Sequence, residues 1–170
     1  RGLLYNDKGT IKERFDFMKK IIPNCKKLGM NYILMPIVIN PDLDILSNLK
    51  SKDNRVFLIE FLKQSLEIAE KYSLKFALET ALSAEEIIDL IDELQSPSIV
   101  VCYDTGNSAF FGNDIVSDLE KLSNLLVEVH IKDHKNTDLN GETIGYYNSV
   151  KLGTGDVDFS SVFETLSKID

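Results

Sequence analysis

A chain of 170 residues with 44% hydrophobic residues and a formal net charge of −8 reads as a single globular domain over residues 1–170, large enough to bury a core. The acidic balance argues against a nucleic-acid partner, which calls for clustered Lys and Arg, and no apolar run reaches the ~18 residues of a membrane span. Two cysteines and no signal-like N-terminus fit a reducing, cytoplasmic setting.

Residues 1–9 read as an irregular lead-in. Ile11, Phe15, Met18, Ile22 and Cys25 then recur at helical spacing, with Lys26 and Lys27 in the last turn and Gly29 as the cap. Pro23 inside this pattern predicts a kink or a break. Residues 32–39, YILMPIVI, read as a strand that Pro36 makes irregular. Residues 40–54 form a long polar loop, either a substrate loop or a solvated connection. A helix is expected over 55–72, with Leu58, Leu62, Ser65, Ala69 and Tyr72 on one face, and a strand over 74–79.

Ser83-Ala84-Glu85-Glu86 is a capped helix start, followed by Ile87, Ile88, Ile91 and Leu94 as the apolar stripe. The run 99–107, IVVCYDTGN, is a doubly buried strand that ends on Asp104 and then turns at Thr105-Gly106-Asn107. A short loop leads to a helix near Asp114 with Ile115, Leu119, Leu122 and Leu126 as its stripe. Residues 127–132, VEVHIK, form the fourth strand. A polar loop over 133–154, with a turn at Asn140-Gly141, precedes a last helix bearing Phe159, Val162, Phe163 and Leu166. Regular alternation of helices with buried strands is the pattern of right-handed βαβ units and a parallel sheet, an α/β fold.

Three of these strands end on metal-capable side chains: Glu79, Asp104 and His130. Parallel strands joined by helices point the same way, so their C-terminal ends share one face, where α/β sheets and barrels carry their functional residues. Two carboxylates and an imidazole from successive strands suit one divalent cation, Mn²⁺, Mg²⁺ or Zn²⁺, better than a soft metal. Three unrelated strand-end polar residues, or an Asp104 that only caps a helix or turn, are the plainer alternatives.

Glu79 in FALET, Asp104 in YDTGN, His130 in VHIKD and the stretch LGTGDVDF over 152–159 resemble the sugar phosphate isomerase/epimerase family of xylose-isomerase-like TIM barrels, and within it the L-ribulose-5-phosphate 3-epimerases and hexulose-6-phosphate isomerases. The resemblance covers nearly the whole chain. It implies part of a (β/α)8 barrel, with about four parallel strands present and the others without a counterpart here. It implies one divalent metal held by Glu79, Asp104, His130 and a fourth carboxylate beyond Asp170. It further implies proton transfer through an enediolate on a ketose or ketose phosphate, with Glu79 as one acid/base and the fourth carboxylate as the other.

Asn107 and Lys132 are candidate substrate contacts, with a turn residue and a solvated lysine as their alternatives. Gly153 and Gly155 could let backbone N–H groups approach a phosphate, although Asp156 and Asp158 would compete for those donors. A dehydratase relative acting on inositol-type rings and a non-catalytic metal-binding fragment stay open as alternatives. A DNA-cleaving relative is disfavoured, because its histidine-rich site contrasts with two histidines here, His130 and His134. The expected partner is a small sugar or sugar phosphate. Open strand edges at 32–39 and 127–132 leave pairing with a second copy, a homo-oligomer, as a further expectation.

Overall fold

The computed structural model describes residues 8–37, 52–136 and 149–169. In chain order these form α1 (Lys8–Lys27), β1 (Tyr32–Pro36), α2 (Lys52–Lys71), β2 (Lys75–Glu79), α3 (Ala84–Leu94) and β3 (Ile99–Asp104). There follow α4 (Thr105–Phe110), α5 (Ile115–Leu122), a 3-10 turn (Ser123–Leu125), β4 (Leu126–His130), β5 (Asp133–His134), β6 (Ser149–Val150) and α6 (Phe159–Leu166). The main sheet has four strands in the order β1-β2-β3-β4, and a second, two-stranded sheet joins β5 to β6. Strand order follows chain order, as consecutive βαβ units require. The expected α/β architecture, about four strands alternating with helices, is the one observed. Most of the polar loop at 40–54 and the turn at Asn140-Gly141 lie outside the described residues.

Two compact units divide the chain, Arg1–Leu78 with Asp89–Val100 and Glu79–Ile88 with Val101–Asp170. In the first, α1 packs on α2. Met18, Ile22 and Cys25 on α1 and Leu58, Leu62, Ser65 and Ala69 on α2 are buried, at the spacing the sequence predicts. Tyr72, expected on the same face, is 39% exposed, because α2 ends at Lys71. The helix α1 runs through Pro23 as one element. It ends at Gly29, whose φ of 78° lets Met30 N–H reach back to Cys25 O at 3.1 Å and Gly29 N–H to Lys26 O at 3.0 Å, a glycine cap that satisfies the last carbonyls. Leu74 and Phe76, both fully buried, each contribute about 2 kcal/mol of apolar burial.

In the second unit the start of α3 is a capping box: Glu86 N–H donates to Ser83 Oγ at 3.4 Å and Ser83 N–H to Glu86 Oε2 at 3.1 Å. The same helix end is held by Asp118, whose Oδ1 accepts from Ala84 N–H at 3.0 Å while its Oδ2 accepts from Tyr103 O–H at 2.9 Å. Burial holds the Asp118 carboxyl above its ordinary range. Leu119 and Leu122 are fully buried, as their stripe predicts. Leu126, read from the sequence as the end of that stripe, instead opens β4 after the 3-10 turn. On α6, Val162 is buried but Phe163 is 52% exposed and stacks on Phe159 with ring centroids 5.8 Å apart.

Three elements depart from the sequence reading. The turn expected after Asp104 is the first turn of α4, and β5 and β6 pair within a stretch read as loop, Asp133 opposite Val150 and His134 opposite Ser149. A helix of six residues and strands of two residues are too short to carry a hydrophobic period.

Candidate functional site

Strands β3 and β4 pair in parallel, with Cys102 opposite Glu128 and Asp104 opposite His130. Alternate residues of a strand share a face, so the two pairs lie in successive rows, Asp104 and His130 in the row at the C-terminal ends. Glu79 closes β2 at the same level in the chain pattern. The three side chains come together. His130 Nδ1 is 3.3 Å from Glu79 Oε1 and 3.8 Å from Asp104 Oδ2, and one ligand-capable atom from each residue lies within 4.8 Å of the others. Glu79 and Asp104 are 7% and 0% exposed.

Asp104 performs two tasks with its two oxygens. Its Oδ1 accepts from Asn107 N–H at 3.0 Å and caps α4. Its Oδ2 is buried and has no hydrogen bond. Lys132 Nζ stands 2.6 Å from that oxygen as an ion pair, with the lysine side chain 46% exposed. A buried carboxylate oxygen lacking a hydrogen bond is costly unless a cation faces it. In this structure the Lys132 ammonium is that cation; the donor set, two carboxylates and an imidazole, also fits a divalent cation in the ammonium's place.

The segment after β4 is held against α4 by Thr105. Its hydroxyl donates to Lys132 O at 2.6 Å and accepts from Lys132 N–H at 3.0 Å. Gly106 is obligatory at this crossing, since a Cβ there would meet Lys132 Cβ at 2.7 Å. Asn107 sits in the first turn of α4 with its N–H committed to Asp104. The expected pair Asn107 and Lys132 thus flanks Asp104, one through backbone and one through its ammonium.

Gly153 and Gly155 do something else. Their N–H groups donate to Asp133 Oδ2 at 2.9 and 2.8 Å, and Thr154 N–H joins them at 3.1 Å. Asp133 Oδ1 takes His134 N–H at 3.0 Å and Val157 N–H at 3.3 Å. The donors expected to face a phosphate are therefore occupied by an internal carboxylate. The competing acid is Asp133 rather than Asp156 or Asp158. Asp156 Oδ2 accepts from Asn136 N–H at 2.8 Å, and Asp158 caps α6 through Ser160 and Ser161. A Cβ on Gly155 would lie 2.2 Å from Asp133 Oδ1 and 2.5 Å from His134 O, so only glycine allows this clasp.

Sequence reasoning missed Asp133, which is 1% exposed. Its signal was an acid directly after the fourth strand, answered by a Gly-Thr-Gly run downstream. Strand alternation puts Glu128 on the face of His130 with Lys75 as its expected partner; the structure instead brings its Oε1 to 3.1 Å from His130 Nε2, and Cys102, expected only as a buried strand residue, groups with Glu128 and His130 within 4.8 Å. Burial, reinforced by Glu128 and Glu79, pushes the Cys102 thiol up to about 12, so it stays protonated near neutral pH. Both cysteines are free and buried, as expected.

Residues 1–170 match the family described as Xylose isomerase-like TIM barrel. The chain is 25% identical over 167 residues to an L-ribulose-5-phosphate 3-epimerase, UlaE, of Salmonella paratyphi A, a match that covers 95% of this chain and 54% of the relative. It is 32% identical over 99 residues to an inosose dehydratase of Clostridium tetani, covering 52% of this chain and 33% of the relative. The chain thus spans about half the length of the epimerase relative it matches end to end. A crystal structure of a xylose isomerase domain protein from Planctomyces limnophilus superposes with a TM-score of 0.76 at 26% identity, covering 99% of this chain and 57% of that one. No described helix is long and apolar enough to cross a membrane.

Proposed function

The chain belongs to the xylose isomerase-like TIM barrel family, and on that premise we propose that it contributes the metal ligands and one acid/base of an epimerase or isomerase acting on a ketose or ketose phosphate. The observation that carries the reading is the convergence of Glu79, Asp104 and His130, whose ligand-capable atoms lie within 4.8 Å of one another. Glu79, Asp104 Oδ2 and His130 Nδ1 would hold one divalent cation, Mn²⁺, Mg²⁺ or Zn²⁺. When bound, such a cation supplies Lewis-acid polarisation of adjacent sugar oxygens.

Glu79 is the residue assigned to proton transfer. Its carboxylate takes a proton from the carbon beside the sugar carbonyl and leaves the electron pair in the carbonyl system. A proton delivered to the opposite face of that carbon by the second acid/base, the fourth carboxylate that the resemblance implies, inverts it; return by Glu79 to the neighbouring carbon moves the carbonyl. Lys132 is the group placed to meet the substrate: its side chain is half-exposed and its ammonium is directed at Asp104 in the site. A phosphate, if the substrate carries one, falls to this lysine, since the N–H groups of Gly153 and Gly155 are committed to Asp133.

The similarity to the inosose dehydratase supports a second reading, in which the same proton abstraction is followed by loss of a neighbouring hydroxyl. One assay separates the two. The Mn²⁺-supplemented protein is incubated in D₂O with L-ribulose 5-phosphate and, in parallel, with an inosose. Deuterium gained next to the ketose carbonyl, with an epimer or isomer formed, is the expected outcome. Water loss from the inosose without exchange on the ketose favours the dehydratase, and no exchange on either substrate contradicts the proposal.

A further inference from the structure

We propose that Glu128 is a positioning residue for His130: it fixes the hydrogen of the imidazole on Nε2 and so directs the Nδ1 lone pair at the cation seat. This rests on the reading of Glu79, Asp104 and His130 as metal ligands. The two ring nitrogens face different partners. Nδ1 points to Glu79 Oε1 at 3.3 Å and Asp104 Oδ2 at 3.8 Å, while Nε2 points to Glu128 Oε1 at 3.1 Å. A neutral imidazole has one N–H and one lone pair, and a carboxylate only accepts. Both nitrogens face a carboxylate, Nδ1 at 3.3 Å and Nε2 at 3.1 Å; a cation seated among Glu79, Asp104 and His130 would take the Nδ1 lone pair, and Glu128 is the acceptor that holds the remaining hydrogen on Nε2.

The arrangement follows from strand register. Glu128 and His130 are alternate residues of β4 and share a face, so the carboxylate reaches the ring of its own strand neighbour. Ligand histidines commonly donate their second N–H to a carboxylate, and removal of that partner weakens metal binding. Cys102, Glu128 and His130 also come within 4.8 Å of one another. A second cation there would need the lone pair on Nε2, so for a neutral ring the two assignments exclude each other. The observed 3.1 Å contact to Glu128 favours the positioning role.

The test uses Zn²⁺ alone, titrated in competition with a chromophoric chelator, and long-range ¹⁵N–¹H correlation of the His130 ring in the Zn²⁺-loaded protein. Expected are one tight Zn²⁺ per chain and an N–H at Nε2. Glu128→Leu should weaken Zn²⁺ about ten- to hundredfold. Glu128→Gln, whose amide oxygen still accepts from Nε2–H, should keep most of the affinity, and Cys102→Ala all of it. Wild-type affinity in folded Glu128→Leu overturns the proposal, as does a ring protonated on Nδ1. A second Zn²⁺ lost in Cys102→Ala also overturns it. If Glu128→Leu fails to fold, Glu128→Ser, whose hydroxyl is too short to reach the ring, is the second variant, and wild-type Zn²⁺ affinity in it overturns the proposal. A wild-type protein that binds no Zn²⁺ overturns the underlying metal reading as well, an outcome distinct from all of these.

Discussion

Asp133→Ala is expected to lower stability by about 4 kcal/mol, measured as the shift of a urea unfolding midpoint at unchanged slope. Five backbone N–H groups converge on this one carboxylate, those of His134, Gly153, Thr154, Gly155 and Val157. Asp133 is 1% exposed, so water does not replace it. Hydrogen bonds to a charged group contribute roughly 1.5–3 kcal/mol each, and buried donors left without an acceptor cost about 1–3 kcal/mol each. The full sum is not realised, because the Gly153–Gly155 turn can relax toward solvent. Asp133→Asn should cost less but still measurably, since its amide offers a donor where the chain already presents donors. A midpoint within error of wild type for Asp133→Ala would show that the clasp contributes nothing.

Glu79→Gln is expected to reduce exchange and turnover by about 10³-fold or more. The substitution keeps the side chain's volume and removes both the base and one anionic ligand. It should not unfold the protein. Glu79 lies in a site with a second buried carboxylate, Asp104, and loss of one of two neighbouring buried charges relieves repulsion. The paired measurement is deuterium exchange on the substrate together with a thermal melt. Loss of exchange with an unchanged or raised melting temperature supports the role. Full exchange in Glu79→Gln would move the base elsewhere.

Local chemistry made much of this structure readable in advance. The capping box at Ser83 and Glu86 needs only neighbours three apart, and the stripes of α2 and α5 need only a period of 3.6. The site was legible for a topological reason: strands joined by helices present their ends on one face, so Glu79, Asp104 and His130 could be grouped from chain order alone. Asp104 was weighed as either a cap or a site residue; its Oδ1 caps α4, while its Oδ2 lies beside Lys132 and His130.

What could not be read depends on distant pairings. The clasp joins Asp133 to residues twenty and more positions later, and nothing in the sequence near Gly153 says which acid it meets. The same holds for β5 with β6, and for the contact between Gly106 and Lys132. Strand alternation places Glu128 on the face of His130, but its contact with the ring rather than with Lys75 depends on the ring's orientation, which the sequence does not give.

The most direct measurement is Mn²⁺ binding to wild type and to Asp104→Asn, followed by the loss of free Mn²⁺ signal in electron paramagnetic resonance. The asparagine amide oxygen can still accept from Asn107 N–H and cap α4, so the fold is retained. The buried oxygen that faces Lys132 loses its charge. The account predicts one Mn²⁺ per chain in the wild type and little or no binding in Asp104→Asn at equal stability. Equal Mn²⁺ affinity in the two proteins would contradict it, because the cation would then sit away from Asp104.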